Sequence, residues 1–160
     1  MAARKRKQQQ EEVVDYIAII DRTELHYSIN HHRFGRSRIK PYHRSLYLYG
    51  EMAHPKQIAG AKVNALLLGD PSLVEMPERD IGLIVGTIMK QGGEFQFVVE
   101  VPVEFIATLS AAFHDKRLQI LWGRGSRLKR GNSLLINLSF QDRQSVEDEW
   151  GEPLVTPPNA

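Results

Sequence analysis

Apolar positions along this chain recur mostly with a period of two. Over residues 45–52, Leu46, Leu48 and Met52 alternate with Tyr47, Tyr49 and Glu51, the spacing that puts successive side chains on opposite faces of a strand. Phe95, Phe97, Val99 and Val101 share a face in the same way. So do Leu118, Ile120 and Trp122, and then Leu134, Ile136, Leu138 and Phe140 with Asn137, Ser139 and Gln141 outward. Ile81–Lys90 and Phe95–Val101 flank Gln91-Gly92-Gly93-Glu94, where paired glycines supply the positive φ angles of a tight hairpin.

Other segments read less directly. Val13–Ile20 fits both a helical stripe and strand alternation, and its β-branched and aromatic content favours a strand, which Leu25–Ile29 continues or pairs with. Lys62–Leu68 stops at the turn sequence Gly69-Asp70-Pro71. Its apolar end, Ala65–Leu68, fits burial on two sides or a subunit contact. After Pro102, the residues Phe105, Ile106, Leu109, Ala112 and Phe113 recur at three and four, which predicts one α-helix near residues 103–114 ended by His114-Asp115.

The sum is a mainly β fold, a β-sandwich or a partly closed barrel of about six to eight antiparallel strands with one helix. Strands and helices do not alternate, which argues against a parallel nucleotide-binding sheet. Residues 1–12 are basic, then glutamine-rich and acidic, and read as a disordered tail. A single β-rich domain is expected over 13–150, followed by a disordered tail over 151–160 with Pro153, Pro157 and Pro158.

Composition removes several chemistries. Cysteine is absent, so disulfides, thiolate catalysis and cysteine-held metals are excluded. No apolar run reaches the roughly 20 residues of a membrane-spanning helix. Arg4–Lys7 leads into glutamines and glutamates rather than an apolar segment, so a secretory signal is not expected and the cytoplasm is the expected location. Net charge is only +2, but it is unevenly placed. Residues 1–60 carry 11 Lys and Arg against 6 Asp and Glu, whereas residues 133–160 carry 1 against 5.

The densest candidate chemistry is the polar stretch from His26 to Arg44. Arg33, Arg36, Arg38, Lys40 and Arg44 stand there with Tyr27, Phe34 and Tyr42 between them. Arginine pairs bidentately with phosphate and aromatic rings stack on bases, so this pattern suits a polyanion. A second basic group, Arg124, Arg127, Lys129 and Arg130, falls in an expected loop over Gly123–Asn132. If the two loops met at one end of the fold they would form one positive patch. The acidic C-terminal residues Asp142, Glu147, Asp148, Glu149 and Glu152 are a competing partner for the same charges.

The remaining motifs are weaker. His31, His32 and His43 are the metal candidates, but adjacent histidines on an extended chain point apart and the surrounding cations repel a divalent ion. Gly125–Gly131 has the wrong length and no following lysine for a phosphate-binding loop. No nucleophile elbow occurs, and His114-Asp115 is a helix-end pair rather than a catalytic dyad. Tyr47 and Tyr49 share a face suited to an interface. The expectation is a non-enzymatic binding or assembly module with no cofactor, whose basic loops contact nucleic acid, another polyanion or an acidic protein. The alternatives are a structural subunit of a homo-oligomer and a small His-dependent metalloenzyme or hydrolase.

Overall fold

The computed structural model describes residues 12–29, 42–71, 73 and 85–154. Its elements are β1 (Val13–Ile29), β2 (Tyr42–His54), β3 (Lys62–Asp70), β4 (Gly86–Gln91), β5 (Glu94–Pro102), α1 (Phe105–His114), β6 (Ile120–Ser126), β7 (Asn132–Gln141) and α2 (Arg143–Trp150). A single 3-10 turn, Lys56–Ile58, joins β2 towards β3. The seven strands close into a barrel in the order β1-β2-β3-β5-β4-β7-β6, with β6 paired back onto β1.

The expected mainly β fold is therefore a closed barrel. The glycine-centred hairpin forms as expected: Gln91 pairs with Glu94 across Gly92 (φ 58°) and Gly93 (φ 89°). That hairpin also explains the one parallel ladder. The chain passes from β3 to β4, one strand further on, and then folds back through the tight turn into the gap. β5 consequently runs parallel to β3, while the other ladders are antiparallel.

Alternation fills the barrel. Leu46, Leu48 and Met52 from β2, Val63, Ala65 and Leu67 from β3, and Phe95, Phe97 and Val99 from β5 are all buried in one cluster. A barrel of about this strand number has an interior just wide enough for such side chains. α1 closes one end, adding Ile106 and Phe113 to the same cluster. Its first regular residue is Phe105, so Pro102 ends β5 rather than opening the helix.

β7 departs from its expected phase. Arg124 faces Asn137 and Gly125 faces Leu135, which leaves Ile136 as an extra residue in a bulge. A bulge shifts the side-chain alternation by one. Leu138 and Phe140 face the core as expected, but before the bulge the inward residues are Ser133 and Leu135. Leu134 and Ile136 point outward, 47% and 48% exposed, and their expected burial is corrected accordingly.

α2 was not foreshadowed by the hydrophobic pattern. It lies outside the barrel and builds a second cluster in which Val146 and Leu154 bury Ile17, Ile120 and Trp122. β6 is thus covered on both faces, with Leu121 in the barrel cluster and Ile120 and Trp122 under α2. The chain stays in contact beyond Trp150: Leu154 is buried, and its N–H donates to Glu147 Oε1 at 3.0 Å. The tail expected over 1–12 lies outside the described residues except for Glu12, and residues 155–160 also lie outside them. Among the described residues no helix is long and apolar enough to cross a membrane.

Candidate functional site

β1 is the element that positions the candidate surface. Its first residues, Val13–Ile19, pair with β6, and Ile17–Ile29 pair with β2. Asp21 is an extra residue between the Ile20–Gly50 and Arg22–Tyr49 pairs. A bulge of this kind bends a strand and re-aims it, and here it lies just beyond the last contact with β6. The last β2–β3 pair is Ser45 with Leu68. Beyond it, residues 27–29 and 42–44 are, among the described residues, laddered only to each other, as a two-stranded ribbon.

Side chains on this ribbon and the adjoining β1–β2 face are basic and aromatic. Arg44 lies over the Tyr27 ring at 5.7 Å, and Tyr27 is 58% exposed. Arg22 stacks over Tyr49 at 3.9 Å, and Tyr49 lies parallel to Tyr47 with centroids 6.3 Å apart. His26 meets the edge of Tyr47 at 4.9 Å. Glu24 is the carboxylate among them. It bonds Arg22, accepts from the Tyr49 hydroxyl at 3.3 Å, and lies 3.6 Å from His26 Nε2.

The two basic loops of the sequence separate in the fold. β1 holds the anchors of both: Val13 pairs with Ser126, just before Arg127, and Ile29 pairs with Tyr42 at the other end. About 3.3 Å per residue over this strand puts on the order of 50 Å of chain between the two anchors. Arg33, Arg36, Arg38 and Lys40, like His31 and His32, lie outside the described residues. Of the first group, Arg44 is described, on the ribbon.

The second loop is shorter than expected. Gly123–Ser126 belongs to β6, because Gly123 and Gly125 sit where a β-carbon would fall 2.9 Å from the Leu135 side chain and 2.3 Å from the Leu134 carbonyl oxygen. Arg124 is therefore a strand residue, and it is engaged: its Nε donates to Asp15 Oδ1 at 2.9 Å. Trp122 Nε1 donates to the same oxygen, also at 2.9 Å. Burial pushes the Asp15 carboxyl up, but these two hydrogen bonds and the Arg124 charge outweigh it and hold the group below its usual value. Arg127 lies 3.7 Å from Glu12, both well exposed. Lys129 bridges to Asn132 across a two-residue turn of Arg130 (φ 51°) and Gly131 (φ 81°).

The acidic C-terminal residues are employed locally. Asp142 caps α2 by accepting from the Ser145 N–H at 2.9 Å, and Glu147 accepts from Arg143 Nε at 2.8 Å. His54 packs edge-on to Trp150 at 4.7 Å, in a cleft of about 390 Å³ lined also by Lys56, Glu152 and Leu154. Burial lowers the His54 pKa, with Lys56 acting the same way and Asp15 and Glu152 opposing. Among the described residues no group of three or more His, Asp or Glu side chains is arranged to hold a metal. His43 is an exposed ribbon residue, and His114 ends α1 beside Asp115, whose carboxylate lies 3.5 Å from Arg117.

Sequence reasoning missed both the aromatic row on the outer face of β1 and β2 and the ribbon beyond it, where Tyr27 and Arg44 take the opposite face. The alternation of Tyr47 and Tyr49 was the available signal, but the pairing partner that sets Arg22 and His26 beside them is twenty-odd residues away. No protein-family model, curated protein or solved structure matches this chain.

Proposed function

We propose that this protein is a non-enzymatic binding module whose β1–β2 ribbon contacts an anionic polymer or an acidic protein surface. The observation that supports the reading is the ribbon: among the described residues, 27–29 and 42–44 pair with no third strand, and Arg44 and Tyr27 are exposed on it. The sequence between its two strands, residues 30–41, contains Arg33, Arg36, Arg38 and Lys40 and no carboxylate. Guanidinium groups beside aromatic rings suit phosphate or sulfate together with a flat or apolar neighbour. The β6–β7 turn is a lesser contributor, since Arg124 is already paired with Asp15.

Heparin and a short DNA duplex, titrated into the full chain at low and at high salt, test the reading. Binding is expected at low salt, weakening steeply as salt rises because the polymer releases counterions. Combined charge removal at Arg33, Arg36, Arg38 and Lys40 is expected to abolish it. No binding of either polymer at low salt would overturn the polyanion reading.

A further inference from the structure

The 3-10 turn that follows β2 and the end of α2 meet at the cleft of about 390 Å³. That volume falls in the range of small-molecule sites, which combine a mostly apolar lining with a few converging polar groups. Here Trp150, Leu154 and Ala59 supply apolar lining. His54 stands edge-on to Trp150 at 4.7 Å, and Trp150 in turn meets Trp122 edge-on at 5.7 Å. Burial favours the uncharged form of His54, so at neutral pH its ring is a flat wall and not a further charge.

The charges that remain are Lys56 and Glu152, one of each sign. Both are exposed and both line the cleft. Among the described residues neither makes an ion pair or a side-chain hydrogen bond, with the other or with any third group. Two opposite charges held apart at one apolar cleft match a ligand that itself carries both signs. The polarity of the cleft is set as well. Glu152 follows α2, whose C-terminal end at Trp150 carries partial negative charge and favours a cation. The Lys56 side favours an anion.

We propose that this cleft binds an apolar α-amino acid, with its carboxylate on Lys56, its ammonium on Glu152 and its side chain against Trp150 and Leu154. Such a molecule presents both charges and the apolar group from a single carbon. Each polar contact is a charge-assisted hydrogen bond, the stronger kind, and the side chain adds apolar burial. β2 runs from Tyr42 to His54, so the cleft lies at the opposite end of that strand from the ribbon. The site goes beyond the polyanion reading and does not depend on it.

Calorimetric titration of the full chain with L-phenylalanine, L-tryptophan, L-leucine and L-methionine tests the proposal. L-Phenylalanine is expected to saturate one site per chain. It should also change tryptophan emission, since the chain's two tryptophans, Trp122 and Trp150, both belong to the cluster beside the cleft. N-acetyl-L-phenylalanine lacks the ammonium and L-phenylalaninamide lacks the carboxylate. Each is expected to bind about tenfold more weakly than the parent. Lys56→Ala should weaken L-phenylalanine by a similar factor and leave the amide unchanged. Glu152→Gln should weaken L-phenylalanine likewise and leave the N-acetyl compound unchanged. This crossed pattern assigns each charge to its partner, which a merely structural role would not produce. Both side chains are exposed, so the fold is retained, and far-ultraviolet circular dichroism verifies this for each variant. The absence of binding by all four amino acids at millimolar concentration overturns the proposal. So does binding that both variants leave unchanged, or a loss in each variant that is equal for the parent and its analogue.

Discussion

Gly50 and Ile19 approach so closely that a β-carbon on Gly50 would lie 1.9 Å from the Ile19 carbonyl oxygen. The contact belongs to the bulge at Asp21, where β1 ends its pairing with β6 and carries on with β2 alone. The obstacle is backbone, which cannot rotate aside as a side chain can. Gly50→Ala must therefore force the two strands apart at the bend that aims the ribbon.

The cost of that separation is expected to be about 3 kcal/mol, the upper range for overpacking, which lowers Tm by roughly 6–12 °C in a chain of this size. Gly92→Asn is the control. Gly92 has φ 58° with nothing near its added β-carbon, and asparagine followed by glycine is favoured in such a turn. Thermal unfolding of the two variants separates the cases: Gly50→Ala destabilises strongly and Gly92→Asn stays near wild type.

Stability is expected to fall in two steps as pH drops. His54 is held below its ordinary value of 6.5 chiefly by burial. The unfolded chain then takes up this proton first, so this contribution is present above the ordinary value of 6.5 and is lost as pH falls below it. Asp15 is also held low, by hydrogen bonds from Arg124 and Trp122 that prevail over burial. Its contribution is present above the usual carboxylate value of 3.8 and is lost only as pH falls below it. Denaturant unfolding followed by tryptophan fluorescence across this range checks both. His54→Phe, which keeps a ring against Trp150, is expected to remove the upper step and leave the lower one.

Much of the barrel was legible because inward residues recur at every second position, as Phe95, Phe97 and Val99 do. The failures have identifiable physical causes. Alternation cannot reveal a bulge, so it places Leu134 and Ile136 inward, whereas Ile136 is unpaired opposite the Arg124–Gly125 step and both point outward. α2 offers too few apolar residues for periodicity, since Val146 and Trp150 alone face the barrel. Its ends were nonetheless written in the sequence. Asp142 three residues before Ser145, Arg143 four before Glu147, and Gly151 in a left-handed C-terminal position are cap and pair signals. Closure through the β3–β5 pair depends on long-range pairing that no local pattern specifies.

Asn64 Oδ1 is buried with no hydrogen-bond partner among the described residues. An unmet acceptor costs about 1–3 kcal/mol, and valine has the better strand preference. Asn64→Val is accordingly expected to raise stability by about 1 kcal/mol. Unfolding should be measured at high salt and low protein concentration, so that association does not enter. A loss of stability would mean that the amide makes an essential contact.

Arg130 separates turn geometry from ligand contact in the β6–β7 connection. It adopts φ 51° ahead of Gly131 at φ 81°, the two positive values of a tight hairpin turn in which asparagine-glycine is preferred and a long side chain is disfavoured. Arg130→Asn should relieve that strain and stabilise the chain by about 0.5–1 kcal/mol, at the loss of one cation. If the ribbon is the polyanion contact, heparin affinity at fixed low salt should change by less than about twofold, since the turn lies at the other end of β1. A drop as large as that from removing the ribbon cations would instead assign the contact to the β6–β7 turn.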